Sequence, residues 1–290
     1  AKVFLALLIF RPQKIYFTAS IKSIAFYRDL LVSILWKVYK LFKPVEVYYH
    51  YHTKGIDEFV SSSKHNLILS RFFIKDVNLI LLSPLLEKDT LKVNLYKKIH
   101  FLPNGVEDTM FKENFKIYTT TKYSKIDTVE VLYLAHMMKE KGYLEVLELA
   151  KNTKGQNIRY HFAGSWIDVE SEAEFFELIK EYELEENVIY HGFVSGERKD
   201  SLYRDAHILI YPSKNDAFPL TLLESLSYGV PVVATDEGSI PYMLDEESGI
   251  VLHDVSTLPE VLDQAQAMLI NKKTAMYCRQ RYLENFSLEQ

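Results

Sequence analysis

The sequence predicts an α/β protein of two lobes, each built on an open sheet of parallel strands. Three observations carry that expectation. Short apolar stretches of strand character alternate with longer stretches of helical periodicity, the pattern of strand–helix–strand units. The 290 residues suffice for one or two domains, and a composition of 48% hydrophobic and 25% charged residues excludes disordered, collagen-like and disulfide-stapled classes. Charge breaks between the halves: of 34 Lys and Arg and 39 Asp and Glu, 17 and 10 lie at or before Phe115, leaving 17 and 29 beyond it. A net of +7 followed by −12 suggests lobes with different partners, the first facing an anionic surface or group.

Taken in order, residues 3–10 form an apolar run too short to span a bilayer and lacking a small-residue cleavage site. Neither a transmembrane helix nor a signal peptide is therefore expected. Residues 14–18 read as a strand. Ser20 is placed to cap a helix over 21–42, which stops before Pro44 because the residue preceding a proline is pushed out of helical geometry. Strands follow at 45–49, 77–83 and 98–102, with a loop at 50–55. The polar, weakly periodic stretch 108–127 separates the lobes. The expected organisation is an N-terminal lobe over 1–110, a connection over 111–127 and a C-terminal lobe over 128–290. In the second lobe, strands at 129–134, 158–162, 187–191, 207–211 and 230–235 alternate with helices at 144–151, 170–182, 196–205 and 219–228, and helices at 261–269 and 274–284 close the chain. A doubly wound sheet of this kind takes its ligands at the carboxyl ends of its strands.

The stretch 207–224, HILIYPSKNDAFPLTLLE, carries the most chemistry. An apolar strand ends at Pro212-Ser213, a polar loop holds Asp216, and a helix starts near Pro219, where the missing proline N–H costs little. The free N–H groups at such a helix start, with the helix dipole behind them, suit an anion, most simply a phosphate. Asp216 in the loop and Glu224 inside the helix could grip hydroxyls at the two ends of an extended ligand with phosphates between. The plainer alternative makes Asp216 a helix cap and Glu224 a solvated helix residue.

Five segments occur in one order: HFLPNGVEDTMF (100–111), VLYLAHMMKEKG (131–142), YHFAGSW (160–166), NVIYHGFV (187–194) and YPSKNDAFPLTLLESLSYGVPVVATDEGSIP (211–241). Together they closely resemble the retaining GT-B glycosyltransferases of family four, a large nucleotide-sugar-dependent group, over about residues 98–288. The resemblance implies a GT-B fold, two Rossmann-like doubly wound lobes with a cleft between them, the first lobe incomplete at its N-terminus. It implies that Asp216 holds hydroxyls of the donor sugar, although the family normally has Glu there, and that Glu224 holds the ribose. Phe218, Leu220 and Thr221 match the turn whose amides touch the diphosphate; Pro219 stands where Gly is common and donates no N–H. Lys141 matches the family's diphosphate lysine, whereas the partner Arg position is His136, which supplies less charge. Gly164 allows close backbone approach, and Gly192, Phe193 and Val194 match the loop lining the nucleobase, Gly192 reading equally as a turn. His52, favoured over His50, matches a histidine beside the donor sugar and the reacting centre, with a structural histidine as the alternative.

The implied catalytic residues are thus His52, Lys141 and Asp216, in a metal-independent transfer of a sugar from a nucleotide-sugar substrate, UDP-linked by family frequency, to a glycan or lipid-pyrophosphate-linked acceptor in O-antigen-type polysaccharide assembly. No Asp-x-Asp pair is present to hold a divalent metal on a diphosphate, and no cofactor or nucleic acid is expected. The 21–42 stretch mixes Leu, Ile, Phe, Trp36 and Tyr39 with lysines, suiting either an anionic membrane or a partly buried helix with a solvated rim. A lone Cys278 points to a reducing compartment, so a cytoplasmic protein, peripheral on the inner membrane's cytoplasmic face, is expected. An epimerase of the same fold and a catalytically silent sugar-binding subunit are the alternatives.

Overall fold

The computed structural model describes residues 2–110 and 114–288. The chain divides into two compact units, residues 1–103 and 104–290, each described by itself.

In the first unit, helix α1 (Lys2–Phe10) leads to strand β1 (Lys14–Thr18), helix α2 (Ser23–Tyr39), β2 (Glu46–Tyr51), α3 (Ile56–Ser61), α4 (Lys64–Ile74), β3 (Asn78–Leu81), a 3-10 stretch (Pro84–Val93) and β4 (Lys98–Phe101). The four strands are parallel in the order β1-β2-β3-β4. Val47, Tyr49 and Leu79 point to the core, where Tyr49 stacks on Phe73 at 4.5 Å and accepts a hydrogen bond from Trp36 Nε1 at 3.0 Å. Ser20 does not cap α2. The helix starts at Ser23 behind an extended Lys22 that makes no side-chain cap, and the Ser20 N–H instead donates to the buried carboxylate of Asp29 at 2.9 Å. Helix α1 occupies the apolar run 3–10, and among the described residues no helix is long and apolar enough to cross a membrane.

The second unit begins earlier than the expected 111–127 connection, because residues 104–110 are bound to its far end. Val106 N–H donates to the Phe286 carbonyl at 3.0 Å, and the Val106 carbonyl accepts from the Tyr282 hydroxyl at 2.9 Å. Asp108 takes a bidentate bond from the buried Arg279 at 2.7 and 2.6 Å. Of the expected connection, residues 111–113 lie outside the described residues, and helix α5 (Phe115–Lys122) buries Phe115 and Thr119.

Beyond it run β5 (Val129–Leu134), α6 (Tyr143–Asn152), β6 (Ile158–Ala163), α7 (Val169–Glu181), β7 (Val188–Tyr190), α8 (Gly196–Asp205), β8 (Ile208–Tyr211), α9 (Leu220–Ser227), β9 (Val232–Thr235), α10 (Ile240–Met243), β10 (Gly249–Leu252), α11 (Leu258–Met268) and α12 (Lys272–Asn285). All six strands are parallel, in the order β10-β9-β8-β5-β6-β7. Strands β8 and β9 are buried at every residue, as strands covered on both faces must be, so their sequences ILIY and VVAT are apolar throughout apart from the terminal Tyr and Thr. The chain enters at β5, winds outward through β6 and β7, then returns to β8 on the other side. The loops leaving β5 and β8 therefore diverge and open a crevice at their carboxyl ends, the topological switch point of a doubly wound sheet.

Candidate functional site

Two loops meet at that switch point. After β5 the chain makes a 3-10 turn (Lys139–Lys141) ending at Gly142, whose φ of +83° favours glycine. A Cβ on Gly142 would stand 2.5 Å from the Pro212 carbonyl oxygen, so the two loops touch backbone to backbone. The Lys214 N–H donates to the Glu140 carbonyl at 2.7 Å and ties them further. The loop after β9 closes on the same place. A Cβ on Gly238 would lie 2.1 Å from the Asp216 carbonyl oxygen, and Ser239 N–H donates to Ala217 at 2.9 Å.

This packing brings Lys141 and Asp216 together. Lys141 Nζ lies 2.8 Å from Asp216 Oδ1 and donates to the Asn215 carbonyl at 2.9 Å. The other oxygen, Oδ2, accepts from the Tyr211 hydroxyl at 2.9 Å and from Ser213 Oγ at 2.7 Å. The side chains of Lys141 and Asp216 are 18% and 16% exposed, so a ligand can reach them without unfolding the loop. Burial, and then the Asp216 charge, push the Tyr211 phenol far above its ordinary range, so it stays protonated and keeps donating.

Helix α9 begins immediately after this loop. Pro219 is its N-cap, with an extended backbone, rather than its first helical residue. The amides of Leu220 and Thr221 have no acceptor among the described residues, and Leu220 is exposed. Phe218 is buried with its ring 6.3 Å from that of Phe286, anchoring the turn. About one turn into α9, Glu224 accepts from Lys199 Nζ at 2.8 Å and from the Tyr203 hydroxyl at 2.9 Å. Tyr203, fully buried and beside Glu224, is likewise held protonated.

The loops after β6 and β7 complete the rim. Gly164 has φ +153°, and a Cβ there would come within 1.7 Å of the Ala135 carbonyl oxygen; no larger residue fits without moving the β5 loop. Gly164 N–H donates to the Gly192 carbonyl at 2.9 Å, and the Tyr190 hydroxyl donates to the Gly164 carbonyl at 2.8 Å. Phe193 is 68% exposed, whereas Val194 is buried. His136 is exposed on the loop leaving β5. His52 belongs to the first unit, just past the end of β2, exposed and with its ring 3.9 Å from that of His50. His50 itself is buried, its Nδ1 2.5 Å from the Tyr16 hydroxyl, and burial followed by the neighbouring His52 lowers it to about 4. Of the two histidines, the one at the surface is therefore His52.

The structure thus gathers Lys141, Asp216, Glu224, Leu220, Thr221 and Gly164 around the carboxyl ends of one sheet. It adds Tyr211, Ser213, Tyr203 and Lys199, which sequence reasoning missed. Tyr211 and Ser213 stand five and three residues before Asp216, an adjacency of hydroxyls and carboxylate that could have been noticed. Lys199 and Tyr203 meet Glu224 from another helix, and no spacing announces that. At the opposite, amino-terminal ends of β5, β6 and β8 lies an open cavity of about 680 Å³ lined by Lys122, Glu130, Arg159, His161 and His207, where a parallel sheet converges no loops of this kind.

Comparison with known proteins gives this geometry its context. Residues 121–282 match the family described as glycosyl transferases group 1. The putative colanic acid biosynthesis glycosyltransferase WcaL of Escherichia coli K12 is 26% identical over 129 residues, 41% of this chain and 30% of its own length. The O-antigen biosynthesis glycosyltransferase WclY of Escherichia coli is 25% identical over 190 residues, 64% of this chain and 49% of its own length. The matches thus span less than half the length of these curated relatives. Among solved structures, Anabaena Alr3699/HepE in complex with UDP superposes with a TM-score of 0.75 at 14% identity, covering 99% of this chain and 77% of that one.

Proposed function

The chain belongs to the group 1 glycosyl transferases, and from that premise we propose that it moves a glycosyl group from a nucleotide-sugar donor to a glycan or lipid-pyrophosphate-linked acceptor in surface-polysaccharide assembly of the O-antigen type. The observation that carries this reading is the meeting of Lys141, Asp216 and the open start of α9 at one switch point. A diphosphate there would take Lys141 and the amides of Leu220 and Thr221, with one further donor from His136. Asp216 would accept hydroxyls of the sugar and Glu224 those of the ribose, while Phe193 and Val194 border the base. UDP is the nucleotide of choice, in keeping with the relative solved as a UDP complex.

The chemistry proposed is retaining transfer through an oxocarbenium-like state on the face that the leaving group vacates. As the glycosyl bond breaks, negative charge grows on the diphosphate. Lys141 and the α9 amides set one cation and a row of dipoles against that charge, which lowers the barrier without a metal ion. His52 is proposed as a further catalytic residue of the transfer.

Peripheral attachment to an anionic, cytoplasmic membrane face is part of the same proposal. In α2, Ile24, Tyr27, Leu31, Ile34 and Val38 recur every three or four residues and are exposed, while Phe26, Leu30 and Trp36 face the core. Helix α1 exposes Phe4, Leu5, Leu8, Ile9 and Phe10. Residues 1–43 hold eight Lys and Arg against one acidic residue, the buried Asp29, so the charge around this apolar face is basic.

The test is a panel of nucleotide sugars offered with and without lipid-linked acceptor. Nucleotide release that depends on acceptor is the expected result. An isomerised donor would replace transfer by epimerisation, and saturable binding without turnover would leave a silent binding subunit.

A further inference from the structure

The site sets its cation against its own carboxylate. Lys141 Nζ sits 2.8 Å from Asp216 Oδ1, and among the described residues its other acceptor is the neutral Asn215 carbonyl. The two oxygens of Asp216 are held in different ways. Oδ2 receives two hydroxyls, from Tyr211 at the end of β8 and from Ser213 at the following turn. Tyr211 is 3% exposed, so this half of the carboxylate is fixed by rigid, buried groups. Oδ1 is held by the tip of a flexible four-carbon side chain. One half is a hinge pin and the other is a clasp.

A site that takes a diphosphate joined to a sugar needs that lysine for the phosphates and that oxygen for a hydroxyl. We propose that Lys141 is a latch: the diphosphate draws Nζ off Asp216, and the freed Oδ1 then accepts a hydroxyl of the attached sugar. Tyr211 and Ser213 are the positioning residues that hold the carboxylate still while its partner changes. The proposal rests on the donor site proposed above and adds a coupling to it. A bare diphosphate breaks the Lys141–Asp216 pair and leaves the carboxylate without a replacement. A sugar diphosphate breaks the same pair and supplies the replacement itself. Recognition of the anion and of the sugar are therefore linked, and a donor stripped of its sugar is held less tightly than its phosphates alone would dictate.

The decisive probe is inorganic pyrophosphate, which has no sugar or base. Calorimetric titration should show pyrophosphate binding Asp216→Asn roughly fivefold more tightly than wild type, because a largely buried but solvent-reachable ion pair worth about 1 kcal/mol no longer competes for Lys141. Asp216→Ala should shift in the same direction and serves if the Asn variant fails to fold. A crystal of the wild-type chain with pyrophosphate should place Nζ beyond about 4 Å from Oδ1, the limit of an ion pair. Unchanged or weaker binding by both variants, or a retained ion pair in that crystal, overturns the latch while leaving the donor site standing. If wild type binds neither pyrophosphate nor any nucleotide of the panel, the donor site itself falls, and the latch with it.

For the positioning residues, the double variant Tyr211→Phe, Ser213→Ala should keep wild-type pyrophosphate affinity within twofold but lose roughly tenfold in kcat/KM with the donor that the panel identifies. Restoring one hydroxyl, in either single variant Tyr211→Phe or Ser213→Ala, should recover part of that loss, and the conservative Ser213→Thr, which keeps both hydroxyls, should stay near wild type. Equal losses in pyrophosphate affinity and turnover would mean a merely structural role.

Discussion

Replacing Arg279 by Met tests how the second unit holds helix α9. The guanidinium is 5% exposed and makes four hydrogen bonds, two to Asp108 at 2.7 and 2.6 Å, one to the Ser227 carbonyl at 2.8 Å and one to the Met110 carbonyl at 3.0 Å. Ser227 closes α9, the helix that carries Glu224, so the arginine joins the 104–110 segment, α9 and α12 at one point. Methionine replaces the stem but none of the bonds, and it leaves the 3%-exposed Asp108 carboxylate unpaired. Breaking a buried pair by removing one partner costs about 3–5 kcal/mol, a large part of a typical domain's 5–15 kcal/mol. For a unit of this size that is a fall in Tm of roughly 6–20 °C. Calorimetry and urea titration of the chain measure it directly. Adding Asp108→Asn removes the orphaned charge and should recover part of the loss. A single variant within about 1 kcal/mol of wild type, or a double variant no better than the single, would refute the reasoning, since either result means the carboxylate is not stranded by the substitution.

Three further outcomes are expected. Gly164→Ala would set its Cβ only 1.7 Å from the Ala135 carbonyl oxygen and must push the β5 loop away, so nucleotide binding should fall by at least roughly tenfold while the fold, followed by circular dichroism, persists. Stability should decline as pH drops from about 6.5 towards 4. His50, His191 and His207 are each lowered to about 4, mainly by burial, so the unfolded chain takes up protons near 6.5 that the folded chain refuses until about 4; urea midpoints across this range check the sign, and a flat profile contradicts it. Leu31→Asp, on the exposed face of α2, should abolish sedimentation with vesicles rich in anionic lipid and spare binding of soluble nucleotide; unchanged sedimentation would remove that face as the attachment surface.

Much of this protein could be read from local pattern alone. The bounds of β1, β5 and α8 agree with their sequence reading to the residue, because strand alternation and helix periodicity are decided within a few neighbours. Asp216 and Glu224 stand on one short run of chain, 207–224, which singles them out, whereas Lys141 is singled out only through the resemblance of several separate segments. One local reading failed for a local reason: Ser20 is a good capping residue, yet the buried Asp29 engages its N–H outside the helix.

The tertiary structure alone decided the strand order that returns β8 to the side of β5, and so the place of the crevice. It alone set Lys141 against Asp216, across 75 residues of sequence, and Lys199 and Tyr203 against Glu224. The lone glycine at 164 also acquires its meaning there, from a carbonyl 29 residues earlier. The physical reason is common to all of these. Propensity and periodicity act between residues that are neighbours in the chain. Ion pairs and close backbone approaches act between residues that packing makes neighbours in space, and nothing in the spacing of the sequence encodes which loops will be brought to the same end of a sheet.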